Sequence, residues 1–161
     1  KINTEAGDSE GIALCYNKLG KLYTYLQDYE NAVDHFKKAL KIFEGLKNKT
    51  EMVNSFFLLG NAYNWLDDYD KSLYYLLRAS NQIEQIPDVE VRTKILGSLA
   101  ILYTKLKEYD KALEYLETAY DRRDLPINSV FAHPAYKALR GHPRFQNLLR
   151  RLGFTVPANY R

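Results

Sequence analysis

The chain repeats itself every 40 residues. Tyr23, Tyr63 and Tyr103 keep that step, as do Tyr29, Tyr69 and Tyr109; Leu19, Leu59 and Leu99; Gly20, Gly60 and Ala100; and Ala32, Ser72 and Ala112. A period of roughly 20 to 50 residues belongs to repeat arrays, in which a unit too small to bury its own apolar face stacks on its neighbours. The repeat also accounts for an oddity of composition, 14 tyrosines against one tryptophan, one methionine and one cysteine. With 46% hydrophobic and 27% charged residues in 161, the chain can bury a core and is neither disordered nor collagen-like.

Apolar residues inside each unit recur at helical spacing. Tyr16, Leu19, Gly20 and Tyr23 stand at i, i+3, i+4 and i+7, and Ala32, Phe36, Ala39 and Leu40 form a second such stripe. The turns between them read Gln27-Asp28-Tyr29-Glu30, Asp67-Asp68-Tyr69-Asp70 and Lys107-Glu108-Tyr109-Asp110, so an acid opens each second helix as an N-cap would. Gly20 and Gly60 fall mid-helix, where glycine costs about 1 kcal/mol relative to alanine, and are expected to permit close helix contact. Ala100 takes that place in the third unit.

These residues resemble the tetratricopeptide repeat (TPR) pattern of an aromatic, Leu-Gly, Tyr, Ala, Phe and Ala. Unit one supplies Tyr16, Leu19, Gly20, Tyr23, Ala32, Phe36 and Ala39; unit two Phe56, Leu59, Gly60, Tyr63, Ser72, Leu76 and Ala79; unit three Leu96, Leu99, Ala100, Tyr103, Ala112, Leu116 and Ala119. The helix-ending proline of the family is missing between the first two units, and the period exceeds the usual one of about 34. Extra residues such as those at 43–49 lengthen the helices, as in the long-repeat subgroup, similar to kinesin light chain and bacterial peptide-sensing TPR proteins. The resemblance implies an all-α fold: a right-handed superhelical solenoid of antiparallel helix pairs, with units at 13–52, 53–92 and 93–125. Residues 1–12 read as the end of a preceding repeat or a lead-in to the first helix, and the chain as a piece of a longer protein.

Residues 126–161 differ in charge. They hold Lys137, Arg140, Arg144, Arg150, Arg151 and Arg161 and no acid, whereas residues 1–125 hold 17 basic and 20 acidic residues. His133-Pro134 and His142-Pro143 each open a similar short stretch, predicting two short helices with proline at the first helical position, separated by Gly141 and ended by Gly153. Leu139-Arg140, Pro143-Arg144-Phe145 and residues 148–153 resemble the C-terminal cap of TPR arrays in bacterial signalling proteins, where aspartate usually stands at the two histidine positions. Tyr136, Leu139, Phe145, Leu148 and Leu149 are the residues expected to cover the end of the array.

Catalytic chemistry is not legible. Cys15 is expected to pack as a small apolar residue, His35 sits beside core Phe36, and His133 and His142 are expected at helix starts or on the surface. No phosphate loop, nucleophile elbow or metal motif is present, so neither an enzyme nor a cofactor is expected. No apolar run approaches the ~18 residues of a membrane span. A single cysteine leaves the compartment undecided, with the cytoplasm favoured.

Binding residues are expected on the first helices, opposite the core stripe. Residues 13–26, 53–66 and 93–106 contain no Asp or Glu, and their only charges are Lys18, Lys21, Lys94 and Lys105. The candidates are Asn17, Lys21 and Tyr25; Asn54, Phe57, Asn61, Asn64 and Trp65; and Lys94 and Lys105. Amides that pair with a peptide backbone, aromatic anchors and lysines suit a protein or peptide ligand carrying carboxylates. The carboxylate clamp of chaperone-binding TPR proteins fails residue by residue, since Asn17 and Lys21 stand in reverse order and Leu58 and Ser98 replace required residues. The alternatives are nucleic acid or an acidic surface bound by the basic segment, with nucleic acid disfavoured, and self-association.

Overall fold

The computed structural model describes residues 2–122 and 133–155, with side chains from Asp8 onward. Parts of the expected basic segment, at 126–132 and 156–161 with Arg161, lie outside the described residues. The elements are α1 (Ile2–Tyr25), α2 (Tyr29–Leu46), α3 (Lys49–Trp65), α4 (Tyr69–Ile83), α5 (Val89–Lys105), α6 (Tyr109–Asp121), a 3-10 helix (Pro134–Leu139) and α7 (Pro143–Arg151). The described residues contain no strand. Contacts divide the chain into two compact units, residues 1–91 and 92–161.

In the first unit α1 packs on α2, α2 on α3 and α3 on α4. The two mid-helix glycines let each pair close. A Cβ on Gly20 would collide with the Phe36 ring, and one on Gly60 would lie 2.6 Å from Leu76 Cγ and 3.2 Å from the Leu76 nitrogen. At this approach each unit gives one carbonyl an extra hydroxyl donor: Thr24 donates to Gly20 O at 2.9 Å, and buried Ser72 donates to Gly60 O at 2.8 Å. Ser72 thus does from the second helix what Thr24 does from the first, which accounts for a polar residue at a position that is alanine in the other units.

The turns show why an acid recurs there. The Asp28 N–H donates to Tyr23 O at 2.9 Å and closes α1, while its carboxylate accepts from the Asn31 N–H at 3.2 Å and opens α2. Asp68 repeats this with Tyr63 O at 3.0 Å and Lys71 N–H at 3.2 Å. The residue before each is left-handed, Gln27 at φ 61° and Asp67 at φ 55°. An L side chain there costs about 1 kcal/mol or more, offset by the satisfied helix ends.

Buried Val53, Ser55, Phe56, Leu59, Ala62 and Tyr63 wrap around α3, which has a neighbour on two sides. α1 differs from expectation. Its deeply buried positions are Ala13, Asn17 and Gly20, while Tyr16 and Tyr23 are half-buried, Leu19 is 41% exposed and Cys15 is exposed rather than packed. The reason is that no described helix lies on the far side of α1. Residues 2–12 continue α1 without a break.

In the second unit the Glu108 N–H closes α5 on Tyr103 O at 2.9 Å, but the longer carboxylate makes no capping bond and pairs with Lys111 instead. Thr104 donates to Ala100 O at 2.7 Å, the third instance of the extra hydroxyl. α7 packs on α6, and Tyr136, Leu139, Phe145 and Leu148 are buried, whereas Leu149 is half-buried. The first of the two expected short helices is 3-10: six residues from Pro134 to Leu139 give i→i+3 bonds such as Tyr136 N to His133 O. Left-handed Gly153, φ 83°, ends α7 as expected, with Phe154 N–H donating to Leu149 O.

Gly60→Ala gains about 1 kcal/mol of helix propensity but forces a methyl into Leu76. Urea denaturation is expected to show a net loss of about 1–3 kcal/mol; equal or greater stability would contradict the close-approach role.

Candidate functional site

The first-helix candidates in the first unit separate into engaged and open side chains. Asn17, expected on an open stripe, is 3% exposed; its Nδ2 lies 3.5 Å from Ser55 Oγ, and its Oδ1 accepts no hydrogen bond among the described residues. It sits one turn after Ala13 on the side of α1 turned toward α2 and α3, so it joins helices instead of facing a ligand. Asn54 is half-buried and donates to Glu51 at 3.2 Å. Phe57, Asn61 and Asn64 are half-buried, and Lys21 is exposed. Trp65 is 58% exposed, its ring stacked on Tyr29 at 5.7 Å and 8°. Tyr25, at the Trp65 position of α1, is 86% exposed. Lys94 and Lys105 are exposed on α5, in the second unit.

Carboxylates mark the other end of α3. A cleft of about 150 Å³ is rimmed by Glu51, Asn54 and Asp88 over Val53, Ile83 and Ile86. That is too small for a metabolite, whose pockets usually run from about 300 Å³, and large enough for one side chain. Glu51 stands ten residues before Asn61, roughly 15 Å along the helix at 1.5 Å per residue, so its carboxylate lies well away from Asn61. Among the described residues no three His, Cys, Asp or Glu side chains gather as around a metal ion. No helix among the described residues is long and apolar enough to cross a membrane.

Spacing within one helix could not reveal the aromatic contacts. Tyr23 meets His35, Tyr63 stacks on Tyr75 at 5.6 Å, and Tyr103 stacks on Tyr115 at 5.6 Å, a pairing that recurs every 40 residues. Lys71 and Lys111 each lie 5.2 Å from the centre of the Tyr63 and Tyr103 rings, and a hydrogen bond to Tyr63 holds the Lys37 ammonium above its usual pKa. These second-helix cations are committed to the fold. The signal was present in the sequence, since residues 35, 75 and 115 are all aromatic and in register.

The basic segment is similarly committed in part. Arg144 donates to both Glu117 oxygens, at 3.3 and 2.8 Å, and to Asp110 at 3.0 Å. Arg151 pairs with Asp121 at 2.6 Å and lies 4.4 Å from the Tyr120 ring centre, while the Tyr120 hydroxyl donates to Arg151 O. The Tyr136 hydroxyl donates to Gly97 O at 3.3 Å, and burial pushes its phenol pKa well up. Gly97 lies three residues after Lys94 on α5, and the cap reaches it. His133 Nδ1 accepts from the Ala135 N–H, but His142 makes no such bond. Cap cations that hold α6 are not available to phosphates, which weakens the nucleic-acid alternative.

A tetratricopeptide repeat family model matches residues 51–124 and a second tetratricopeptide repeat model matches residues 13–45. The chain belongs to the tetratricopeptide repeat family. The crystal structure of the TPR domain of Arabidopsis FLU is similar to this TPR protein, at 25% identity and a TM-score of 0.63, covering 72% of this chain and 98% of that one. No curated protein matches the sequence. TPR domains are in general protein-interaction scaffolds, built from consecutive helix pairs of the kind described above.

Arg144→Ala is expected to loosen α7 by about 1 kcal/mol, the upper range for a bidentate ion pair near the surface. Hydrogen exchange of the amides of Gln146 to Leu149 would then quicken roughly fivefold. Unchanged protection would mean that apolar contacts alone hold the cap.

Proposed function

We propose that this TPR protein is a non-catalytic scaffold that takes a carboxylate-bearing peptide, or the matching surface of a partner domain, along its first-helix faces. One observation carries the reading: the acid-free stretches 13–26 and 53–66 hold an exposed Lys21 and the partly exposed Phe57, Asn61, Asn64 and Trp65. Lysine attracts a carboxylate, asparagine amides can both donate to and accept from a peptide backbone, and large rings supply apolar burial. Trp65 is already stacked on Tyr29, so less side-chain freedom is lost when a ligand covers it. The carboxylates Glu51 and Asp88 favour an orientation in which the ligand's acidic end lies toward Lys21 and an apolar or basic side chain toward the cleft. Lys94 and Lys105 give α5, in the second unit by itself, the same charge preference. The resemblance of residues 139–153 to caps of bacterial signalling proteins supports a regulatory setting, in which the array holds a partner beside another domain.

Trp65 is the chain's one tryptophan and therefore a built-in probe. Titration with a library of glutamate-rich peptides is expected to shift its emission, binding is expected to weaken as salt rises, and Lys21→Glu is expected to raise Kd about tenfold, or 1.4 kcal/mol. Binding undiminished by Lys21→Glu, or a response only to single-stranded DNA, would overturn the proposal.

A further inference from the structure

The cleft between the start of α3 and the end of α4 lies at a place that the first helix pair builds differently. Its floor includes Val53 and Ile83, and the residues 40 positions earlier are Ala13 and Phe43. Phe43 is 0% exposed and packs with Ala13 and Ala39, its ring reaching across between the helices. In place of that ring the second pair has two branched aliphatic side chains, and a cleft of about 150 Å³ lies over them.

The polar rim changes in the same comparison. In the first pair Glu10 accepts from the Asn48 amide at 2.9 Å, so the acid meets a donor of its own chain. Forty residues on, Thr50 stands for Glu10, Asp88 for Asn48 and Glu51 for Gly11. The amide donor has become a carboxylate, and a second carboxylate has joined it. Helix capping does not ask for this charge. Asn48 accepts from the Glu51 N–H at 3.2 Å, Asp88 accepts from the Val91 N–H at 2.9 Å, and asparagine and aspartate cap about equally well. Glu51 Oε2 in turn accepts from the Asn54 amide at 3.2 Å. Each carboxylate thus has one oxygen engaged by a neutral donor, and among the described residues neither forms an ion pair. The N-terminal ends of α3 and α5 contribute about half a positive charge each, against two full negative ones.

We propose that this cleft is a pocket for the side chain of one lysine of the bound partner. The four-carbon stem lies over Val53, Ile83 and Ile86, as lysine stems lie on apolar surface, and the ammonium sits at the rim between Glu51 and Asp88. Three donors radiating from one nitrogen can reach single oxygens on separate carboxylates. An arginine fork is matched instead to both oxygens of one carboxylate, and here each has an oxygen already engaged. The inference rests on the reading that the protein takes a partner peptide, and it names the residue that enters the cleft.

The probe is Nα-acetyl-lysine N-methylamide, titrated at low salt into the isotope-labelled full chain. Backbone amide shifts centred on Val53, Asn54, Ile86 and Asp88 are expected, saturating with a Kd on the order of 10 mM. The norleucine analogue, which has the same stem without the ammonium, and the arginine analogue are each expected to bind about fivefold more weakly or less. Asp88→Asn, which keeps the cap as Asn48 does, is expected to weaken lysine binding about fivefold. Val53→Ala with Ile83→Phe, which restores the residue types of Ala13 and Phe43, is expected to abolish it with helix content by circular dichroism unchanged. Absence of shifts at these amides, equal binding of either analogue, or an Asp88→Asn chain that binds as before would overturn the proposal. The probe needs neither Lys21 nor Trp65, so its failure would leave the peptide-binding reading standing, and an indifferent Lys21→Glu titration would leave the pocket standing.

Discussion

The close approach of two helices at a residue with no side chain is the contact on which the rest depends. Gly20 lies against the Phe36 ring and Gly60 against Leu76, with no room for a methyl group at either place. Once the axes are this close, the Ser72 hydroxyl of the second helix can reach the Gly60 carbonyl of the first, and a three-residue turn can join the helices. The same geometry lets one residue serve two ends. The backbone N–H of Asp28 and of Asp68 finishes the first helix while the side chain starts the second. A period of 40 residues follows because each pair must present the same faces to the next.

The period, the helix pairs, the acidic caps and the core positions Phe36, Leu59, Leu76 and Leu99 were legible in the sequence, because each depends on spacing within one element or on the repeat. The burial pattern of α1 was not. Periodicity marks an apolar stripe but does not say how many neighbours a helix has, and among the described residues α1 has one fewer than α3, which leaves Leu19 and Cys15 in solvent. Burial of Asn17 was missed for a related reason, since its contact is with Ser55, 38 residues away on another helix. The stack of Tyr29 on Trp65 likewise joins turn and helix end across 36 residues, and no local pattern announces it. It turns a tyrosine that seemed purely architectural into the support of the most exposed aromatic of α3.

Charge gains meaning from where it is spent. The basic C-terminal segment stands out in composition, yet Arg144 and Arg151 are held by Asp110, Glu117 and Asp121 on α6. These pairs dock the last helix of the array, and their acids come from the slightly acidic repeats. The first helices show the reverse pattern. They contribute few charges, all basic between residues 13 and 26; of the acids that flank them, Glu10 and Glu51 at the helix starts bind Asn48 and Asn54, and Asp28 and Asp68 at the helix ends are spent as caps.

The measurement that tests this most directly is a map of backbone amide shifts in the isotope-labelled chain as a glutamate-rich helical peptide is added. Changes concentrated at Lys21, Asn61, Asn64 and Trp65, with little change in α7, are the result predicted. Changes confined to Lys137 and Arg150 in the C-terminal segment would contradict it and move the binding surface from the first helices to the cap.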